Sequence, residues 1–438
     1  AQPSQTPDPG GRRLGPRPLP VHLSAAIWTW TSSCAALPFW RNGSLPWNGP
    51  SHRPDLQASQ ENLRQEIASA EADPQRFAEA VNAAAQERHR RLLEGIEAYR
   101  HHPYRRRLQD PPAIWREGTT LLRDYGAAPE AQAGPGPVVL VVPSLINRAY
   151  ILDLKPELSL LRHLAGQGVR PLLVDWDRPG EAERGFGLTE YVAGRLEAAL
   201  EVACELHGGP VPVVGYCMGG LLALALAQRR RRDVSGLALL ATPWDFHAGP
   251  EGRDAGAQAR LTAQAAQWLE PTLAALGQLP VDAIQTLFAG LDPQTAVRKF
   301  LNFQQLDQTG ARAETFVALE DWLNDGVPLA APVARECLYG WYGWNAPARG
   351  QWCVAGRPVD PAQVTQPALC LLPAHDRIVP PASAAALGRA LPDAQVQSPA
   401  LGHIGMVVSG KAKQAAWSPL ADWLRRFAGG GVRRRGGK

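Results

Sequence analysis

The sequence predicts an α/β fold, in which a mostly parallel sheet is covered by helices on both faces. Short apolar runs alternate with helical segments from residue 116 to residue 246, and the clearest are residues 137–142 (PVVLVV), 169–176 (VRPLLVDW) and 211–214 (VPVV). Strands that are apolar throughout are typical of a parallel sheet buried on both faces. A chain of 438 residues is long enough for a large core and for more than one structural unit.

Changes in composition and periodicity divide the chain into six segments. Beyond the sixth strand the alternation stops and helical segments follow to about residue 345, which predicts a helical cap inserted into the sheet fold. The sheet resumes at residues 367–372 (PALCLL). The predicted segments are a disordered tail (1–20), a helical N-terminal region (21–115), the first part of the α/β core (116–246), the cap (247–350), the second part of the core (351–428) and a basic tail (429–438).

The N-terminal region contains an aromatic stretch, residues 22–47, with four tryptophans and one phenylalanine. We interpret it as a helix that packs its aromatic side chains on the main domain. The alternative is a segment that lies on an apolar surface such as a lipid or a polymer inclusion. The adjacent His101 and His102 end the following helix, and neighbouring residues on a helix do not face the same way, so we predict no metal site there.

Composition excludes several classes of function. The net charge is only +4, and no basic patch is interleaved with aromatic residues, so we expect no nucleic-acid partner. The six cysteines form no CxxC pair, which favours reduced thiols over disulfides or zinc. The first twenty residues lack the apolar region of a signal peptide, and no apolar stretch is a convincing membrane span. We therefore predict a cytoplasmic location.

The most informative stretch is residues 210–228, PVPVVGYCMGGLLALALAQ. A short apolar strand leads into the pattern G-x-C-x-G, with Cys217 between Gly215 and Gly219, and an Ala/Leu helix follows. This is the pattern of a nucleophile elbow with cysteine in place of serine. A Cβ at either glycine would collide with the adjoining helix or strand, and the helix N-terminus favours a thiolate. The alternative is a Gly-rich junction in which Cys217 is a small core residue.

A cysteine nucleophile needs a base, and the base needs an acid that orients it. In this fold they follow in the order nucleophile, acid, histidine, each after a strand. Asp376 follows the strand 367–372, and His403 lies between two glycines after the last predicted strand. Asp376 could instead be an exposed turn residue and His403 a surface histidine. His375 is a rival base, but it precedes the acid.

The oxyanion of such an enzyme is stabilised by two backbone N–H groups. One should belong to Met218, immediately after the nucleophile. The other should come from the loop after the strand 137–142, near Leu145 or Ile146. Position in the fold predicts these donors, because a backbone donor leaves little trace in the sequence.

At these motifs the chain resembles the polyhydroxyalkanoate (PHA) synthase family, which has the α/β-hydrolase fold. The resemblance covers residues 118–427 and rests on VVPSLINRAYILDLKPELSLLRHLAGQGVRPLLVDW, VVGYCMGGLL, ATPWDF, HDRIVP and LGHIGMVVSGKA. It implies that Cys217 takes the acyl group of a (R)-3-hydroxyacyl-CoA as a thioester and that His403 deprotonates the thiol. It implies that Asp376 assists by activating the 3-hydroxyl group, and that Asp153 is structural.

The resemblance also implies partners. These are the hydroxyacyl-CoA, the growing polyester chain, a second copy of the chain or a second synthase subunit, and granule proteins at the polyester surface. No cofactor or metal is expected, since CoA is part of the substrate. Departures from the family pattern are Arg377, where a histidine is common, and the sequence Pro143-Ser144-Leu145 before INR.

Two other functions fit the same residues. A thioesterase or an intracellular PHA depolymerase would use the same three side chains, with water as the final acceptor. A non-catalytic granule-associated protein could have kept the fold, although the intact Cys–Asp–His set argues against it.

Overall fold

The computed structural model describes residues 13–41, 59, 61–62, 65, 74–132, 134, 136–249 and 255–427. The chain forms two compact units. One contains residues up to 104 together with residues 285–320, and the other contains residues 105–284 and those from 321 onward. The predicted basic tail and most of the predicted N-terminal tail lie outside the described residues.

The second unit is built on an eight-stranded sheet with the strand order β1-β2-β4-β3-β5-β6-β7-β8. Pairs β1–β2 and β2–β4 are antiparallel, and all the other pairs are parallel. The predicted α/β class with a mostly parallel sheet is therefore confirmed. The strands are β1 (Ala113–Glu117), β2 (Thr120–Asp124), β3 (Val138–Val142), β4 (Arg170–Asp175), β5 (Val211–Tyr216), β6 (Val234–Leu240), β7 (Ala368–Leu371) and β8 (Ala394–Gln397).

The sequence predicts that residues 113–115 belong to the helical N-terminal region, whereas in the structure they form the beginning of strand β1. It pairs with β2 through a hairpin at Gly118, whose φ of +58° suits glycine. Its residues are mostly exposed, so it lacks the apolar run that marks the buried strands. The long insertion begins after β6, the sixth strand of the sheet, as predicted.

Helices precede the sheet, connect its strands and fill the insertion after β6. In chain order they are α1 (Leu19–Arg41), α2 (Pro74–His101), α3 (Leu160–Gly166), α4 (Glu197–His207), α5 (Met218–Arg229), α6 (Ala255–Leu276), α7 (Val281–Leu291), α8 (Thr295–Gln304), α9 (Ala311–Asn324), α10 (Ala331–Arg335), α11 (Pro381–Ala390), α12 (Gly405–Val408) and α13 (Ser418–Arg425). Three π-helical turns, Glu190–Leu196, Glu336–Gly343 and Lys413–Trp417, adjoin α4, α10 and α13 respectively.

The first unit is a helical cluster with an aromatic core. Tyr99 of α2 meets Phe300 of α8 edge to face at 5.7 Å, and Phe303 stacks on Phe316 of α9 at 4.2 Å. Gly95 allows α2 to approach α8 closely, since a Cβ there would lie 2.3 Å from the Phe300 carbonyl oxygen. Residues 285–320 therefore share a core with the N-terminal helices, and the units do not coincide with the predicted segments 21–115 and 247–350.

Residues 22–41 of the aromatic stretch belong to α1, a helix within this first unit. Trp30 is buried and packs on the His89 ring at 4.4 Å, whereas Trp28 is 73% exposed and Phe39 53% exposed. Trp47 lies outside the described residues. Within the described part of the chain, no helix is long and apolar enough to cross a membrane.

Candidate active site

The turn between β5 and α5 holds Cys217 in a strained conformation. Its φ of +55° and ψ of −127° are unusual for a residue with a Cβ. A Cβ on Gly215 would lie 2.4 Å from the Cα of Gly220, and a Cβ on Gly219 would lie 2.2 Å from the carbonyl oxygen of Val142. Both distances are far below a van der Waals contact, so the two glycines allow the strand, turn and helix to pack this closely. The turn has the backbone geometry of a nucleophile elbow.

His403 and Asp376 meet in loops that follow β8 and β7. Nδ1 of His403 lies 2.7 Å from Oδ2 of Asp376, and both residues are buried. The other carboxylate oxygen accepts hydrogen bonds of 2.8 Å from the backbone N–H groups of Ile378 and Val379. The carboxylate is thus fixed, and it orients the imidazole so that Nε2 is the free ring nitrogen.

The structure also brings His403 next to Cys217. Burial acts to lower the pKa of His403, but the charge of Cys217, the hydrogen bond to Asp376 and a side-chain hydrogen bond with Cys217 outweigh it and raise this pKa to about 10. The Tyr216 ring lies 5.3 Å from the imidazole, and its hydroxyl donates to the His403 carbonyl oxygen. At neutral pH the raised pKa therefore keeps His403 in the imidazolium form.

Three other residues that the sequence singled out, His375, Arg377 and Asp153, have different surroundings. His375 and Arg377 are both exposed, although they flank the buried Asp376. Asp153 is fully buried, and Arg162 binds both of its oxygens, at 2.8 and 3.2 Å, while the Tyr125 hydroxyl donates to one of them. Nothing in this arrangement leaves Asp153 free to contact a substrate.

The two backbone amides that the sequence predicts as oxyanion donors, those of Met218 and Leu145, have no acceptor among the described residues. Met218 is the first residue of α5, where N–H groups have no intrahelical acceptor. In the loop after β3, Ile146 N–H donates to the Ser144 hydroxyl at 3.2 Å. The Leu145 N–H has no acceptor among the described residues. Since a Gly219 Cβ would also lie 2.5 Å from the Pro143 carbonyl oxygen, this loop touches the elbow.

An aromatic group reaches the vicinity of Cys217 through Tyr342. Its members belong to the segment after β6 and to the π-helical turn Glu336–Gly343. Phe246 stacks on Trp341 at 5.7 Å and meets Tyr342 edge to face at 4.9 Å. Burial of its hydroxyl end raises the pKa of Tyr342, and the charge of nearby Cys217 raises it further, although the residue as a whole is 42% exposed. The buried Asn345 ties the two segments together by accepting from Phe246 N–H at 2.9 Å.

The sequence places Trp341 and Tyr342 in the predicted helical cap, residues 247–350, which we interpret as a lid. Their pattern, LYGWYGWN, indicated an aromatic segment but not which residues approach Cys217. No group of histidine, cysteine or acidic side chains that could hold a metal ion occurs in the described ranges.

Comparison with known proteins identifies the class first. The family described as alpha/beta hydrolase fold matches residues 137–409, and the chain belongs to it. Among solved structures, a monoacylglycerol lipase from Paleococcus ferrophilus is 16% identical, with a TM-score of 0.42 over 66% of this chain and 94% of that chain. A TM-score this low carries no argument about function.

Curated sequences then identify the narrower family. The poly(3-hydroxyalkanoate) polymerase subunit PhaC of Synechocystis sp. is 31% identical over 71% of this chain and 83% of its own length. The protein of the same name from Allochromatium vinosum is 28% identical over 71% of this chain and 87% of its own length. The chain belongs to the family of poly(3-hydroxyalkanoate) polymerases.

Proposed function

We propose that the chain polymerises (R)-3-hydroxyacyl groups from CoA thioesters and that Cys217 carries the acyl group. The single observation that carries this proposal is the alignment of Cys217, His403 and Asp376 in a chain of the polymerase family. CoA enters as part of the substrate, and the proposed reaction uses no cofactor.

In the first step the thiolate of Cys217 attacks the thioester carbonyl carbon. The carbonyl electrons move onto oxygen, where the N–H groups of Met218 and Leu145 stabilise the developing charge. When the intermediate collapses, the bond to the CoA sulfur breaks, and the imidazolium of His403 donates its proton to that sulfur. The products are free CoA and an acyl thioester on Cys217.

In the second step a hydroxyl group attacks the acyl thioester. Neutral His403 takes the hydroxyl proton, an ester bond forms, and the Cys217 thiolate leaves beside the regenerated imidazolium. The chain grows by one unit when the hydroxyl belongs to another hydroxyacyl group.

Asp376 has a narrower role in this proposal than the resemblance implied. Its side chain is 1% exposed, and its oxygens are occupied by two backbone N–H groups and by His403. A substrate hydroxyl has no open approach to this carboxylate. We therefore assign hydroxyl activation to His403 and orientation of the imidazole to Asp376.

Cysteine suits transfer to an alcohol. Its acyl thioester keeps enough free energy to form an ester, whereas a serine ester would lie lower and favour hydrolysis. In this proposal the aromatic group of Phe246, Trp341 and Tyr342, which reaches Cys217 through Tyr342, limits the access of water to the acyl site. This aromatic group favours the polymerase over the thioesterase alternative.

We propose that the chain acts at the surface of its insoluble product, as one subunit of an assembly. Matched relatives are named polymerase subunits, and Trp28 and Phe39 on α1 expose apolar rings. We expect the chain to sediment with polyester granules and Trp28→Gln to weaken this association. Equal sedimentation of both proteins would contradict a role for α1.

The test of the activity is to incubate the protein with (R)-3-hydroxybutyryl-CoA and to follow free CoA and the acyl group together. The proposal predicts CoA release with insoluble polyester, and neither product with Cys217→Ala. Release of free 3-hydroxybutyrate alone would identify a thioesterase instead.

A further inference from the structure

The loop that carries the Leu145 amide is fixed at its beginning by contacts inside the sheet unit. The Pro143 carbonyl oxygen accepts a hydrogen bond of 3.1 Å from Nε1 of the buried Trp176. Gly219 packs directly against the same peptide. These contacts fix the position of Pro143. The orientation of the backbone amides that follow it depends on contacts at the other end of the loop.

The other end is attached to residues 322–327. Asn147 pairs with Gly326 in an isolated antiparallel bridge, and Val327 N–H donates to the Ile146 carbonyl oxygen at 3.1 Å. Nε1 of the buried Trp322 donates to the Arg148 carbonyl oxygen at 2.8 Å. The backbone on both sides of Asn147 is thus held by one short segment.

A side-chain ion pair joins the same two segments. Nε of Arg148 lies 3.5 Å from Oδ1 of Asp325, and their side chains are only 14% and 11% exposed. Arg148 also binds Asp177, which follows β4 and has a φ of +55°, while the exposed Arg178 lies 3.8 Å from Asp325. Burial raises the pKa of Asp325 despite these cations.

The ion pair between Arg148 and Asp325 is not expected to stabilise the fold by much. Nε of Arg148 and Oδ2 of Asp325 are buried without a hydrogen-bond partner in the described residues. A largely buried ion pair whose hydrogen bonds are incomplete adds little or nothing to the free energy of unfolding, because desolvation opposes the attraction of the two charges. Fixed geometry is the contribution that such a pair can make.

We propose that Arg148 and Asp325 are positioning residues that orient the Leu145 amide toward the developing oxyanion. The guanidinium and the carboxylate lock the segment 322–327 onto the end of the loop. They act through the backbone and do not touch the substrate. The inference rests on the proposed function, since it assumes that an acyl thioester forms on Cys217.

The test compares two reactions of Cys217 in the full chain. Acylation by (R)-3-hydroxybutyryl-CoA passes through an oxyanion, whereas alkylation by iodoacetamide does not. For Asp325→Asn we expect single-turnover acylation at saturating thioester to fall by about tenfold or more, by analogy with the loss of an oxyanion donor. The KM and the alkylation rate should change less than twofold. Arg148→Lys keeps the positive charge but loses the planar guanidinium with its several N–H donors. We expect the same fall in acylation and the same small changes in KM and alkylation rate.

Asp422→Asn is the matched control, because it removes an exposed carboxylate that pairs with Arg425 on α13. It should change neither reaction. Unchanged acylation in Asp325→Asn, or an equal fall in acylation and alkylation, would overturn the proposed positioning role. Absence of acylation in the wild-type chain would instead overturn the proposed function, and with it this inference. Thermal unfolding of each variant shows whether the comparison concerns folded protein.

Discussion

His403 and Asp376 stand 27 residues apart in the chain, yet their side chains are joined by a hydrogen bond of 2.7 Å between Nδ1 and Oδ2. The strands β7 and β8 run parallel and in register, with Leu371 opposite Gln397, so the loops that follow them emerge at the same edge of the sheet. The elbow after β5 ends at that edge as well. The sheet therefore brings the nucleophile, the base and the acid together.

The first prediction concerns Asp376→Asn. The backbone N–H groups of Ile378 and Val379 hold the amide oxygen on their side, so the NH2 group faces Nδ1 of His403. A donor there stabilises the wrong tautomer of the imidazole and weakens its orientation. We expect single-turnover acylation to fall by about 10³-fold, as measured by CoA release in a rapid-mixing experiment. Asp422→Asn, which alters an exposed carboxylate, serves as control. Wild-type rates in Asp376→Asn would remove this carboxylate from the mechanism.

The second prediction concerns pH. A pKa of about 10 means that folded His403 keeps its proton through the neutral range, although a free histidine loses it near pH 6.5. The proton donor for the leaving CoA is then present at pH 7 and is lost as the pH rises through about 10. We expect the acylation rate to hold between pH 7 and 9 and to decline above that. A rate that increases through pH 6.5, as a free base forms, would contradict this assignment.

The third prediction uses a thiol reagent. His403 is hydrogen-bonded to Cys217, and a histidine in that position can accept the proton of a thiol that attacks iodoacetamide. At pH 7, Cys217 should be alkylated faster than the exposed Cys353, which has no such neighbour among the described residues and serves as an internal reference. His403→Gln should lower the ratio of the two rates, measured by peptide mass spectrometry. An unchanged ratio would show that His403 does not activate the thiol of Cys217.

The fourth prediction concerns packing at the elbow. In Gly219→Ala the new methyl group meets backbone atoms of Val142 and Pro143, which cannot move aside easily. We expect a loss of about 1–3 kcal/mol in the free energy of unfolding, measured by denaturant titration. Gly194→Ala is the matched control, because a Cβ there meets nothing within 4 Å. It should be neutral or stabilising by about 0.5–1 kcal/mol.

The fifth prediction separates structure from chemistry at Asp153. Replacing it with asparagine removes the buried anion of Arg162, whose other anionic partner, Glu130, is 41% exposed, and should cost about 3–5 kcal/mol of stability. Acylation per folded molecule should stay at the wild-type rate. A catalytic defect in fully folded Asp153→Asn would show that this carboxylate has a role in the reaction.

Much of the sheet unit could be predicted from the sequence because its signals are local. The elbow needs glycines at two positions around Cys217, and the buried strands need continuous apolar runs. The order of Cys217, Asp376 and His403 follows from their positions after β5, β7 and β8. Each of these features is encoded within a few neighbouring residues.

Other features depend on contacts between distant segments. Strand β1 is exposed, so it carries no apolar signal. The first unit forms because Phe300 and Phe303 share a core with Tyr99, which periodicity within one helix cannot reveal. The attachment of Arg148 to Asp325 joins residues that are 177 positions apart. The Ile146 amide is occupied because it donates to the Ser144 hydroxyl, which leaves the Leu145 amide as the donor for the oxyanion. The sequence does not show where this hydroxyl points.

The most direct test of the proposed chemistry is to mix the protein with (R)-3-hydroxybutyryl-CoA, quench within one turnover and locate the acyl group by mass spectrometry. We predict one hydroxybutyryl adduct on the peptide that contains Cys217, sensitive to hydroxylamine and absent from Cys217→Ala. Cys353→Ala should retain the adduct. An adduct on another residue, or polymer formation by Cys217→Ala, would contradict the central claim that Cys217 carries the acyl group.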